Sequence, residues 1–177
     1  MLYVIAVLLA NYTATWFIPF PVFGMVAVGT LIFGITFTQR DRAHALGRKK
    51  VYTMIAIAAL GSAAESVFMG VPWRIVLASV LAIVLSETAD TEVYQKFITR
   101  TWWRRVMTSN AVSIPLDSIV FNLIAFAGVF PVMLLVSIIF GEIVTKPVVG
   151  ALWAIKRTNL PPFVERMLAV REQPPGR

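Results

Sequence analysis

The apolar residues of this chain are gathered in long blocks, without the short period of a strand or of an amphipathic surface helix. Six mainly apolar blocks follow one another, each close to the roughly 20 residues that a membrane-spanning helix needs. This pattern predicts an all-α membrane protein that is built as a six-helix bundle. The predicted spans are residues 2–17, 22–37, 51–69, 74–97, 111–127 and 131–155.

The connections between the blocks are of two kinds. Three are short, uncharged turns with glycine or proline, at Pro19–Pro21, Gly70–Pro72 and Gly128–Pro131. The second and fourth connections and the segment after the last span hold most of the 16 basic residues: Arg40, Arg42, Arg48, Lys49, Lys50, Arg100, Arg104, Arg105, Lys156, Arg157, Arg166, Arg171 and Arg177. Because Lys and Arg gather on the cytoplasmic side of a membrane, both termini are predicted to be cytoplasmic. We therefore predict one transmembrane domain at residues 1–157 and a cytoplasmic tail at residues 158–177.

Composition supports a membrane protein and narrows its chemistry. The chain is 58% hydrophobic, with a mean hydropathy of +0.78, and a small water-soluble core could not bury that much apolar surface. It has no cysteine, and its one histidine, His44, falls in the second predicted connection, so we expect no metal and no other cofactor. A net charge of +7 would favour binding to nucleic acid. The basic residues lie at the ends of the predicted helices, however, so we expect no nucleic-acid partner.

Six acidic residues lie within the predicted spans, where a lipid-facing charge costs roughly 2.5–3.5 kcal/mol on insertion scales. They are Glu65, Glu87, Asp90, Glu92, Asp117 and Glu142. Their cost predicts that most of them face the interior of the bundle or an aqueous pocket. Glu65 has no partner nearby in the sequence, so it is either a charge in an outward-facing vestibule or a member of the binding site.

In the fourth span, Glu87 and Asp90 share a helix face because they are three residues apart, and Glu92 points away from it. The alternative is that this segment is only the solvated cytoplasmic end of its helix, and for Glu92 that alternative is favoured. In the fifth span, Asn110 and Asp117 share a face with Ser113. Asp117 is therefore predicted to line a pocket, unless it forms a buried salt bridge.

The remaining polar candidates each have a competing structural explanation. Glu142 and Lys146 are four residues apart in the sixth span, in the orientation that favours an intrahelical ion pair. Asn11 offers donors and an acceptor at membrane depth, beside a stripe of small residues that close helix packing would explain, Ala6, Ala10 and Ala14. Phe121 could stack on a flat ligand.

A pocket of carboxylates, amides and aromatic rings suits a purine-like ligand, although other polar solutes or a proton path would also use it. The residues thus predict transport without settling the cargo. No protease signature and no phosphate-binding loop occurs, so we do not expect an enzyme.

The motif Asn110, Ser113, Asp117, together with a set of other matching positions, resembles the queuosine precursor transporter family, also called the vitamin uptake transporter family. The other matching positions are Gly29-Thr30-Leu31, Phe37, Asp41, Gly47-Arg48-Lys49-Lys50, Glu87, Asp90, Ser109 and Phe121. The resemblance implies a six-helix importer of 7-deazaguanine bases, preQ0 or preQ1, in the bacterial inner membrane. Pro115, where relatives would have a polar residue, and the short chain depart from the family pattern and leave the cargo open.

The resemblance also implies roles for particular residues. Asp117, with Glu87 or Asp90, would hold the guanine-like donors, and Asn110 and Asn11 would contact the remaining edge. The full predicted substrate-binding set is Asp117, Glu87, Asp90, Asn110, Asn11, Ser113, Glu142 and Phe121. The alternative is a substrate-binding subunit of an energy-coupling-factor vitamin importer, docked to its partner through the alanine stripe. A homodimer or an energising partner, and host or phage origin, stay open.

Overall fold

The computed structural model describes residues 2–20, 24–32, 36, 40, 44 and 47–158, and most of them are helical. We use α2 for the helical positions 28–32, 36, 40 and 44. The other elements in chain order are α1 (Leu2–Tyr12), β1 (Phe17–Phe20), β2 (Gly24–Ala27), α3 (Arg48–Phe68), α4 (Trp73–Lys96), α5 (Trp102–Phe126) and α6 (Val132–Thr158). Apart from Thr158, which ends α6, the predicted tail at 158–177 lies outside the described residues.

The amino-terminal part contains a β-hairpin where only helix was predicted. α1 ends at Tyr12, and β1 then pairs antiparallel with β2, with Phe17 opposite Ala27. The prediction that the first span reaches residue 17 and that the second begins at residue 22 is therefore wrong. Pro19 disfavours a helix because it lacks an N–H donor and crowds the preceding turn, and its aromatic and β-branched neighbours favour extended backbone. Hydropathy alone does not separate such an apolar run from a helix.

Two helices extend beyond their apolar blocks. Arg40 and His44 are helical, although both were predicted to lie in a connection that follows residue 37. α5 begins at Trp102, nine residues before its predicted start, so that Arg104 and Arg105 lie in its first turn. Because Arg is a good helix former, a helix continues through such residues after the apolar block that hydropathy detects has ended.

The remaining boundaries lie within three residues of those predicted, and two of the predicted turns are present. Gly70 and Gly128 end their helices with φ values of 66° and 79°, a left-handed conformation that glycine adopts without strain. Pro72 and Pro131 precede the next helices, where a missing N–H costs nothing.

Three of the described helical segments are long and apolar enough to cross a membrane: α3, α5 and Val132–Leu152 of α6. Their outer faces expose large apolar side chains, among them Leu60, Phe68 and Met133. So much exposed apolar surface is unusual for a protein in water and suits contact with lipid.

α4 packs against both α3 and α5 and so lies at the centre of the bundle. Its Ala78 and Ala82 are buried, as small residues at helix contacts in membranes usually are. At its start, Arg74 donates through Nε to the carbonyl of Ile124 at 2.6 Å and through Nη2 to that of Ala127. This one charge therefore satisfies carbonyl groups at the end of α5.

The small residues of α1 pack inside the chain. Ala6 and Ala10 are buried, and a Cβ atom added at Gly29 of α2 would overlap the backbone carbonyl oxygen of Ala10. Ala14 lies beside the same glycine. The stripe therefore allows α1 and α2 to approach closely.

We expect Gly29→Ala to lower the free energy of unfolding by about 1–3 kcal/mol, because backbone must move to accept the methyl group. The matched control is Gly61→Ala in α3, where the new Cβ would meet only Leu8 Cδ2 at 3.5 Å, an ordinary contact. Thermal unfolding in detergent micelles measures both variants. Equal stability of the two would contradict the close approach of α1 and α2.

Candidate functional site

An open pocket, about 510 Å³ when the solvent space at its mouth is included, lies among α1, α2, α4, α5 and α6. The polar part of its lining is Asn11, Thr30, Ser79, Asp117, Glu142 and Lys146. Phe121 and several alanine and aliphatic side chains complete the wall.

Lys146 is the centre of the charged wall of this pocket. Its Nζ donates to Asp117 Oδ2 at 2.7 Å, to Glu142 Oε2 at 2.9 Å and to Ser118 Oγ at 2.7 Å. Asp117 also accepts from Ser86 Oγ at 3.3 Å, which joins α4 to the cluster. The predicted Glu142–Lys146 pair is confirmed. The two alternatives for Asp117, pocket lining and buried salt bridge, are both true.

These contacts determine what the wall can offer to a ligand. An ammonium group has three N–H donors, and Lys146 directs them at Asp117, Glu142 and Ser118. A carboxylate has about four acceptor positions, so Asp117 and Glu142 retain capacity. The charged wall therefore presents hydrogen-bond acceptors more than donors.

Asn11 enters the pocket from α1 and is held there by serines of two other helices. Its Nδ2 donates to Ser66 Oγ at 2.8 Å, and its Oδ1 accepts from Ser79 Oγ at 2.6 Å. Ser79 also lies 3.2 Å from Ser62, Oγ to Oγ. These hydrogen bonds fix the orientation of the amide plane.

Phe121 supplies the aromatic part of the lining. It packs edge-on against Phe126, with ring centroids 5.9 Å apart, and Phe126 stacks on Phe130 at 4.8 Å. Phe17 of the hairpin meets both of these rings edge-on. The ring at the pocket is therefore supported from behind by an aromatic group.

A second polar group, which we call the arginine cluster, contains Arg40, His44, Glu87, Asp90, Asn110 and Ser113. Arg40, 1% exposed, donates through Nη1 to Glu87 Oε1 at 3.1 Å. Its Nη2 lies 2.8 Å from Asp90 Oδ1 and donates to Asn110 Oδ1 at 2.6 Å. Ser113 Oγ also donates to Asp90 Oδ1, at 3.0 Å. One guanidinium thus joins α2, α4 and α5.

His44 closes one side of the arginine cluster. Its Nε2 lies 3.5 Å from Asp90 Oδ2, and its ring stacks on Tyr94 with centroids 4.1 Å apart. Arg105 lies 5.2 Å above the same tyrosine ring. The stack holds the imidazole against the carboxylate.

The structure divides the predicted substrate-binding set. Asn11, Asp117, Phe121 and Glu142 line the pocket, whereas Glu87, Asp90, Asn110 and Ser113 belong to the arginine cluster. The two groups adjoin, because Ser86, which donates to Asp117, precedes Glu87. Within the described residues, Glu87 Oε2 is buried without a hydrogen-bond partner.

The solvated interpretation of the fourth span is wrong for Glu87 and Asp90, which are buried, and it holds for Glu92. Glu92 is partly exposed and accepts from Arg48 and Tyr52 of α3. Glu65 is half-buried and does not line the pocket.

Arg40 and His44 were missed as site residues because they were assigned to a loop. Thr36, Arg40 and His44 are four residues apart, and all three are buried. That helical spacing past the end of the apolar block was the available signal. Within the described residues, no group of three or more His, Cys, Asp or Glu side chains is arranged to hold a metal ion.

Comparison with known families agrees with the resemblance seen in the residues. A family model described as "Putative vitamin uptake transporter" matches residues 50–156, more than half of the chain and all of α4 and α5. Neither the curated proteins nor the solved structures gave a match. With its apolar helices, the chain is a membrane protein of transporter type, and it belongs to the vitamin uptake transporter family.

Proposed function

We propose that this chain is a multi-pass importer of a queuosine precursor, a 7-deazaguanine base such as preQ0 or preQ1, in the bacterial inner membrane. The observation that carries the proposal is the acceptor-rich wall of Asp117 and Glu142 in a pocket of about 510 Å³. A guanine-like base presents N–H donors from its ring and its exocyclic amine. Carboxylates bind such donors more strongly than neutral acceptors do.

The rest of the pocket suits the same cargo. Phe121 offers a ring face for a flat heterocycle, and Asn11 is held rigidly enough to contact its remaining edge. Glu87, Asp90 and Asn110 are engaged with Arg40 in this conformation. We therefore assign the first contacts with cargo to the pocket residues, and we place the arginine cluster behind them.

We further propose six spans with both termini in the cytoplasm. Arg48 begins α3, Lys96 ends α4 and Arg104 lies in the first turn of α5, so three helix ends put basic residues on one side. The ion pair between Arg48 and Glu92 joins two of those ends. Basic residues favour the cytoplasmic side. The arginine cluster then lies between the pocket and the cytoplasm.

The alternative is a substrate-binding subunit that docks to a coupling protein through the alanine stripe. The packing of these alanines within the chain argues against that docking surface. Ala6 and Ala10 are buried, and Ala10 and Ala14 pack against Gly29 within the chain. Transport without any ATPase partner is therefore the proposal, and a homodimer remains compatible with it.

The test uses bacteria that lack queuosine synthesis, their own importer and any energy-coupling-factor module. Cells that express this chain and receive preQ0 or preQ1 should regain queuosine in their tRNA, and cells with an empty vector should not. Absence of queuosine in both, with the protein present in the membrane, would overturn the proposal. Rescue only after an ATPase module is added would favour the alternative.

Asp117→Asn is expected to lower the initial rate of deazaguanine uptake about tenfold or more, since a hydrogen bond to a charged acceptor is worth about 1.5–3 kcal/mol. The control is Glu92→Gln, which also turns an acid into its amide but lies outside the pocket. Uptake per molecule of membrane-inserted protein is the measurement. Unchanged uptake by Asp117→Asn would remove Asp117 from the binding site.

A further inference from the structure

The buried charges of this chain do not balance. Among the described residues, four carboxylates are buried, and the buried side chains with permanent positive charge are Arg40 and Lys146. The carboxylates are Glu87, Asp90, Asp117 and Glu142. The whole chain has the opposite sign, +7. The described interior is therefore more acidic than the chain as a whole.

The imbalance reaches the pocket wall. Both Asp117 Oδ2 and Glu142 Oε2 lie within 3 Å of Lys146 Nζ, so one cation is shared by two carboxylates that line the cavity. Among the described side chains that line the pocket, two carboxylates thus meet one ammonium, and no second cation accompanies them.

Within the part of the chain that the structure describes, the neighbouring cations are engaged elsewhere. Arg40 is shared by Glu87 and Asp90 in the adjoining arginine cluster. Arg74 is bound to the carbonyl groups of Ile124 and Ala127 at the end of α5. A positive group on a ligand would complete the neutralisation, and its charge would offset the cost of burying the second carboxylate.

We infer that the pocket selects deazaguanines that bear a protonated amine over analogues with an uncharged substituent at the same position. The inference rests on the proposed function and names the cargo more narrowly. preQ1 bears an aminomethyl group, which is protonated at neutral pH, and preQ0 bears a nitrile. The ammonium donates charge-assisted hydrogen bonds to Asp117 and Glu142, whereas the nitrile, an acceptor, faces other acceptors.

The experiment measures initial uptake of labelled preQ1 and preQ0, each alone and in competition, in cells that lack synthesis and their own importer. The wild-type chain should favour preQ1 about tenfold or more, the factor expected when a charge-assisted hydrogen bond is gained. Glu142→Gln removes the uncompensated charge and should bring the ratio towards one. The ratio does not depend on how much protein reaches the membrane.

Glu92→Gln is the matched control, because it makes the same change outside the pocket and should leave the ratio as in the wild type. Equal uptake of both bases, or a preference for preQ0, overturns the inference and leaves the proposed function standing. A preference that Glu142→Gln does not change overturns it as well, because the charge would not be its source. Uptake of neither base overturns the proposed function and the inference together.

Discussion

Replacement of Arg40 by glutamine should lower the free energy of unfolding by about 3–5 kcal/mol, the usual cost when one partner of a buried ion pair is removed. Arg40 is 1% exposed and contacts two carboxylates, Glu87 at 3.1 Å and Asp90 at 2.8 Å. Without it, both carboxylates stay buried without their cation. For a chain of this length the melting midpoint in detergent should fall by about 10 °C.

Arg48→Gln is the control for this prediction, since it makes the same change in an ion pair whose arginine is more than half exposed. Exposed ion pairs contribute little to stability, so this variant should melt close to the wild type. If Arg40→Gln had the same melting midpoint as Arg48→Gln, the arginine cluster would not hold α2 against α4 and α5.

The parts of the site that sequence reasoning identified depend on local geometry. Glu142 and Lys146 are four residues apart on one helix, so their pairing needed only helical periodicity. The same rule placed Asn110, Ser113 and Asp117 on one face of α5. It also placed Glu87 and Asp90 on one face of α4 and turned Glu92 away. Once a block is helical, such relations follow from 3.6 residues per turn.

The parts that sequence reasoning left open or missed depend on how helices meet. A buried salt bridge was one of two alternatives for Asp117, and the sequence could not decide between them because Asp117 and Lys146 lie on different helices. Arg40 was assigned to the basic connection because a boundary drawn from hydropathy stops at the end of the apolar block. The helical conformation is found beyond that boundary, at Arg40 itself. The hairpin around Pro19 was missed because its apolar residues suit a membrane helix equally well.

Lys146→Met should also lower the free energy of unfolding by about 3–5 kcal/mol, because it leaves Asp117 and Glu142 facing each other without their shared cation. Methionine keeps much of the length of the lysine stem, so the loss reports charge more than packing. Lys49→Met is the control, since Lys49 is exposed at the start of α3. Chemical unfolding in mixed micelles measures both.

The triple variant Lys146→Met, Glu142→Gln, Asp117→Asn tests whether the loss of stability in Lys146→Met comes from uncompensated charge or from altered packing. Removal of all three charges leaves no uncompensated ion, so the triple variant should be more stable than Lys146→Met alone, although it has two more substitutions. It should nevertheless fail to import a deazaguanine, because its wall has no carboxylate acceptor. A triple variant less stable than the single one would show that the cluster stabilises the fold by its hydrogen bonds. Stability regained while uptake stays lost would instead show that the buried charges serve binding at the expense of the fold.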